Sequence, residues 1–157
     1  MAKVLVLYYS RTGNTKKMAE LIGEGVKKES ADVDVKDVKE IKVEALLNYD
    51  GIIIGSPTYY GTLAAEIKKF LDESVKFHGQ LEGKVGGAFS SSANIGGGNE
   101  TTILSIIEAM LIHGMVVQGN SSGDHYGPVS IGAPDDRVKK QCRELGSRIA
   151  RLVKRLG

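Results

Sequence analysis

Hydroxyl and amide side chains crowd one short stretch near the start of the chain, Ser10-Arg11-Thr12-Gly13-Asn14-Thr15. It follows an apolar run and precedes a helical pattern, so it sits where a strand gives way to a helix. The free N–H groups at a helix start bind anions, and the helix dipole adds to the attraction. Ser10, Thr12 and Thr15 offer three hydroxyl donors to complete a phosphate cradle. Gly13 lets the chain turn and lets a phosphate approach the backbone. The plainer role is a capped turn, with Asn14 or Thr15 as the cap, which needs only one or two of these residues. The stretch has neither the GxxxxGK[ST] of a P-loop nor the GxGxxG of a dinucleotide-binding turn. It also lacks the clustered acids that a receiver domain carries after its first strand.

Two further stretches could meet a ligand there. Pro57-Thr58-Tyr59-Tyr60-Gly61 follows a short β-branched run, and a flat aromatic ligand can stack on a tyrosine ring. Ser90-Ser91-Ser92-Ala93-Asn94-Ile95-Gly96-Gly97, leading into Gly98-Asn99-Glu100, lacks bulk and suits close backbone approach to a planar ring. Taken alone, paired tyrosines are ordinary surface or packing residues, and a glycine-rich stretch is an ordinary surface loop. Together the three stretches describe a phosphate cradle, an aromatic wall and a small-residue edge. A mononucleotide with a flat ring system fits that description, and FMN is one.

The elements that must position these loops alternate between strand and helix. Lys3 to Tyr9 reads as a buried strand, and Met18, Leu21, Ile22 and Val26 mark one apolar face of the helix after the first loop. Asp32 to Val38 alternates strictly, as a half-exposed edge strand does. Gly51 to Gly55 is wholly apolar, the pattern of a central parallel strand with both faces covered. A helix is expected from about Leu63 to Val75, a strand over Lys84 to Phe89, a helix over Thr102 to His113 and a last strand at Met115-Val116-Val117. Asn120 to Pro134 reads as a long Gly/Ser loop, and Val138, Cys142, Leu145, Ile149 and Leu152 mark a C-terminal helix. The expected fold is α/β: a five-stranded parallel sheet with helices on both faces, in one domain spanning residues 1–157, and the family resemblance that these loops carry implies the strand order 2-1-3-4-5. In such sheets ligands bind beyond the carboxyl ends of the strands, where all three loops lie.

Composition narrows the classes. Hydrophobic residues make up 41% and charged residues 25%, ordinary for a globular protein. No apolar run reaches the roughly 20 residues of a membrane helix, so no membrane insertion is expected. A net charge of +2 without a basic stripe argues against nucleic acid. The Lys and Arg residues from Arg137 to Arg155 interleave with apolar ones at helical spacing, as on a solvated helix face. The single Cys142 excludes an intrachain disulfide and an all-cysteine metal cluster, and no metal is expected. It falls on the apolar stripe, and with no export signal the chain reads as cytoplasmic.

On these residues the chain resembles the flavodoxins, through the hydroxyl-rich turn at 10–15. It is more closely similar to the WrbA-type NAD(P)H:quinone reductases. The shared features are the opening Ala2 to Ser10, Pro57-Thr58 with an aromatic pair before Gly61, Gly96-Gly97-Gly98-Asn99-Glu100, Ile112-His113-Gly114-Met115 and Tyr126-Gly127. That family often has Arg-Phe at the aromatic pair and Gly-Gly-Gly-Gln-Glu in the glycine run, and it is longer before the third strand and after the fifth. The resemblance implies a flavodoxin-like fold, FMN as cofactor, and NAD(P)H with a quinone-like acceptor as reactants. The alternative is a carrier passing electrons to a redox partner protein. It implies that residues 10–15 hold the FMN phosphate and that Thr58, Tyr59 and Tyr60 line the isoalloxazine. Ser91 to Gly97 would then contact its edge and ribityl chain, with His113 and Tyr126 beside the substrate and a homodimer or homotetramer as the assembly. Without the resemblance, His113 before a glycine at a helix end reads as a C-terminal cap.

Overall fold

The computed structural model describes residues 1–157. Strand β1 (Lys3–Tyr8) is followed by helix α1 (Asn14–Lys28), strand β2 (Asp32–Asp37), and two 3₁₀ turns at Val38–Glu40 and Val43–Asn48. Strand β3 (Gly51–Tyr59), strand β4 (Thr62–Leu63) and helix α2 (Ala65–Glu73) come next, then a 3₁₀ turn at Ser74–Phe77. The chain ends with β5 (Val85–Ser92), α3 (Asn99–Ile112), β6 (Val116–Val117), β7 (Val129–Ile131) and α4 (Asp136–Leu156).

The sheet runs β2-β1-β3-β5-β6, the expected order, with every neighbour on this path parallel. Side chains alternate across it. Val4, Val6 and Ile53 meet α1 and α4 in one core, and Leu5, Leu7, Ile52 and Ile54 meet residues of α2 and α3 in the other. The helix stripes follow: Met18, Leu21, Ile22 and Val26 of α1 are all buried, as are Val138, Cys142, Leu145 and Ile149 of α4. Val153 completes the α4 stripe, and the neighbouring Leu152 is only half-buried. Strand β2 lies at the edge, as its sequence anticipates, but its burial does not alternate: Val33, Asp34 and Val35 are all half-buried, and Asp32 and Lys36 are exposed.

Three expectations need correction. The last strand is split: β6 pairs with Val85 and Gly86 at the start of β5, and β7 pairs with Ser90 to Ser92 at its end. So β7 lies inside the stretch read as a loop from Asn120 to Pro134. Its three residues are too few to show a period, and only the backbone of β5 supplies its partner. The helix expected from Leu63 begins at Ala65, because Thr62 and Leu63 turn back to pair antiparallel with Tyr59 and Thr58. The helix expected over Thr102 to His113 runs from Asn99 to Ile112.

Candidate functional site: a cleft beyond the carboxyl ends of the strands

Beyond the ends of β1, β3 and β5 lies a cleft of about 650 Å³. Its wall brings together Ser10, Arg11, Thr12, Asn14 and Thr15 from the first loop and Pro57, Thr58 and Tyr59 from the second. Ser91, Ser92 and Ala93 come from the third, and Gly132 from the end of β7. Arg11 is the one charged residue in this wall.

The first loop is shaped for an anion. Gly13 occupies the N-cap of α1 at φ +101°, a left-handed conformation that a β-carbon disfavours. Neither Asn14 nor Thr15 caps the helix, contrary to expectation: no side chain accepts from the first turn, which also contains no acid. The first backbone bond of the helix is Lys17 N–H to Gly13 O, at 3.0 Å. The amides of Asn14, Thr15 and Lys16 are therefore left without an acceptor in the chain. Ser10 Oγ is turned inward and accepts from Gly13 N at 3.1 Å.

Thr15 is 1% exposed, and its hydroxyl lies 2.8 Å from Ser91 Oγ. This bond ties the start of α1 to the end of β5. Only one of the two protons is used in it, so the pair retains a donor for a ligand. Behind the cleft, Thr58 Oγ1 lies 3.0 Å from both Ser90 Oγ and Thr102 Oγ1. Ser90 Oγ donates to Ser56 O at 2.8 Å, so Ser90 braces β3 and does not line the cleft.

The second loop continues β3 and then reverses. Tyr59 stands edge-on to Tyr9, with ring centroids 6.5 Å apart and planes at 81°. Tyr60 projects fully into solvent at φ +47°, outside the cleft wall. Gly61 O accepts from Thr101 Oγ1 at 2.8 Å, which fastens this turn to the first turn of α3. Gly98 makes that approach possible: at φ +107°, a β-carbon there would stand 2.6 Å from Gly61 Cα. In the third loop Asn94 O accepts from Ser92 Oγ and from Gly97 N. Ile95 is 90% exposed, and Asn94, Ile95, Gly96 and Gly97 form an open rim beyond the lining residues.

Two residues are placed elsewhere. His113 caps the C-terminus of α3, whose other end opens beside the cleft. Fourteen residues at ~1.5 Å each put about 20 Å of helix between the two ends. Its Nε2 lies 2.7 Å from Ser74 Oγ, and burial, then the nearby His78, lowers its pKa below the usual imidazole value. The helix-cap reading is the one the geometry supports. Tyr126 is half-exposed and absent from the cleft wall. The next residue, Gly127, packs against Ala88 O midway along β5, short of the strand's end. Sequence reasoning missed Gly132 because it missed β7, a three-residue strand that shows no period of its own.

Comparison with known proteins agrees with this geometry. Residues 5–96, which hold the first two loops and the third up to Gly96, match the flavodoxin domain. The chain belongs to the flavodoxin family. A flavodoxin of Aquifex aeolicus is 42% identical over 162 residues, covering 98% of this chain and 88% of that one. An NAD(P)H dehydrogenase (quinone) of Sinorhizobium fredii is 45% identical over 197 residues, covering 99% of both. The solved WrbA-like flavodoxin from Agrobacterium tumefaciens superposes with a TM-score of 0.84 at 28% identity, over 100% of both chains. FMN is the cofactor of this flavodoxin-family chain. The donor set fits it: unpaired amides with Arg11 for the phosphate, hydroxyls above them, and Tyr59 with small residues for a flat ring. No helix is long and apolar enough to cross a membrane.

Proposed function

We propose that this flavodoxin-family protein is an oxidoreductase that passes electrons from NAD(P)H through FMN to a quinone-like acceptor. The net reaction is NAD(P)H plus a proton plus quinone, giving NAD(P)⁺ and hydroquinone. FMN, when bound, supplies the centre that accepts hydride and releases electrons. The chain supplies position and charge. The amides of Asn14, Thr15 and Lys16 would hold the phosphate, with Arg11 neutralising it. Tyr59 would stack on the ring, and Ser91 to Ala93 would bond its polar edge.

The observation that carries this reading is the charge of the cleft wall, which holds Arg11 and no carboxylate. Such a wall attracts phosphate-bearing nucleotides and tolerates neutral quinones. The test is to mix FMN-loaded protein with NADPH or NADH in a stopped-flow instrument, then add benzoquinone. Bleaching of the flavin absorbance followed by multiple turnovers is expected. Flavin that stays oxidised for minutes with both nucleotides refutes the reading.

A second reading, an electron carrier serving a partner protein, has one observation in its favour. The alignment with the Sinorhizobium fredii enzyme is 40 residues longer than the chain, whereas that with the Aquifex aeolicus flavodoxin is only 5 longer. The chain thus has a flavodoxin's size. Rapid reduction by a reductase protein, without reduction by free nucleotide, would select it.

A further inference from the structure

A second cavity, of about 700 Å³, runs between α2 and α3 from Thr62, Leu63 and Ser105 to His113, at the end of α3 away from the FMN cleft. Leu63, Leu71, Val75, Ala109 and Ile112 make most of its exposed wall apolar, and the charged Lys68, Asp72 and Glu108 also line it. Val75 and Ile112 are 69% and 71% exposed, far more than such side chains need to be on a helix packed against a sheet. The size and lining are those of a small-molecule site: an apolar body with a few placed polar groups.

His113 is one of those groups. It forms part of the wall and is 8% exposed, yet its Nδ1 has no hydrogen-bond partner. The state of that nitrogen follows from its neighbours. Ser74 has one hydroxyl proton, and it donates that proton to Leu71 O at 2.6 Å. The 2.7 Å contact between Ser74 Oγ and His113 Nε2 must then be donated by the ring. The neutral ring then carries its proton on Nε2, and burial disfavours the charged ring. Nδ1 is left as a bare lone pair, an acceptor buried without a donor. Such groups carry a desolvation cost until a donor meets them.

We propose that the α2–α3 cavity is a binding site for a small, uncharged aromatic molecule whose single hydroxyl donates to His113 Nδ1. The apolar wall takes the ring. The fixed tautomer selects a donor over an acceptor, because an ether or carbonyl oxygen would face the lone pair of Nδ1. Bulk water does not reach Nδ1, so the hydroxyl enters through the cavity with movement of its wall side chains.

The test uses FMN-loaded, ¹⁵N-labelled protein and three probes of similar size: 4-methylphenol, 4-methylanisole and toluene. Ring-nitrogen and amide NMR spectra are recorded through each titration. 4-Methylphenol should saturate, shifting His113 Nδ1 together with the amides of Leu71 to Val75 and Ala109 to Ile112. Toluene and 4-methylanisole should bind about tenfold or more weakly, reflecting the missing hydrogen bond. Ala109→Phe should fill the cavity and abolish the response while FMN affinity stays unchanged. His113→Phe should equalise the three probes. Equal affinity of the three probes for the unmodified protein overturns the proposal. So do shifts confined to Tyr59 and Ser91 to Ala93, the absence of any saturable response, or Nδ1 found already satisfied by a trapped water.

Discussion

Replacing Thr15 by valine separates the phosphate cradle from the rest of the cleft. Thr15 is buried at the first turn of α1, with its hydroxyl 2.8 Å from Ser91 Oγ. Valine keeps the branched shape and removes one hydroxyl. If that hydroxyl helps hold the FMN phosphate, the loss is that of a hydrogen bond to a charged group, about 1.5–3 kcal/mol. That converts to roughly 10- to 150-fold weaker FMN binding. Riboflavin has the same ring and ribityl chain without the phosphate, so its affinity should change by less than about threefold. Ser91→Ala is the control for the brace, which Thr15→Val also breaks: it leaves the Thr15 hydroxyl in place and should weaken FMN and riboflavin alike, by less than about threefold. Fluorescence quenching titrations of FMN and riboflavin against the three proteins read all six constants. Equal losses for the two ligands in Thr15→Val would refute the assignment of this turn to the phosphate.

Gly98→Ala places a β-carbon 2.6 Å from Gly61 Cα at φ +107°. Left-handed strain of ~1–2 kcal/mol and overpacking of ~1–3 kcal/mol lower Tm by roughly 4–20 °C. A calorimetric shift below about 1 °C would show that the two turns are not held as described. Burial and then the nearby His78 lower the pKa of His113 in the fold. The unfolded chain therefore binds more protons once the pH falls below the ordinary histidine value of 6.5. Its contribution to stability is complete above that pH and declines as the pH drops towards the folded value. His113→Gln should flatten the Tm-against-pH curve there, and an unchanged slope contradicts the burial argument. Cys142 is fully buried, and its thiol is pushed up to about 12. DTNB should label it only at the rate at which the protein opens, and fast labelling of native protein would place the thiol elsewhere.

Where the pattern was long and one-sided, the sequence was legible. The stripes of α1 and α4 and the apolar β3 could be read because each repeats the same burial decision many times. The hydroxyl-rich turn was readable for another reason: an anion site at a strand-to-helix junction uses backbone amides adjacent in the chain. By contrast, β4 has two residues and β7 has three, and neither has a period of its own. Their partners are Thr58–Tyr59 and Ser90–Ser92, so only the assembled sheet defines them.

The sequence by itself determined the alternation of strands and helices, the parallel sheet they build, and the three loops that follow its strands. Local periodicity and turn chemistry suffice for that. Tertiary structure decided what each polar side chain faces. Thr15 has the makings of a helix cap, and in the fold its hydroxyl turns to Ser91, 76 positions away. His113 sits on the helix that opens beside the FMN cleft, and the length of that helix carries it to a different cavity. Direction and distance between residues far apart in the chain are set by how layers pack, and no local pattern encodes them.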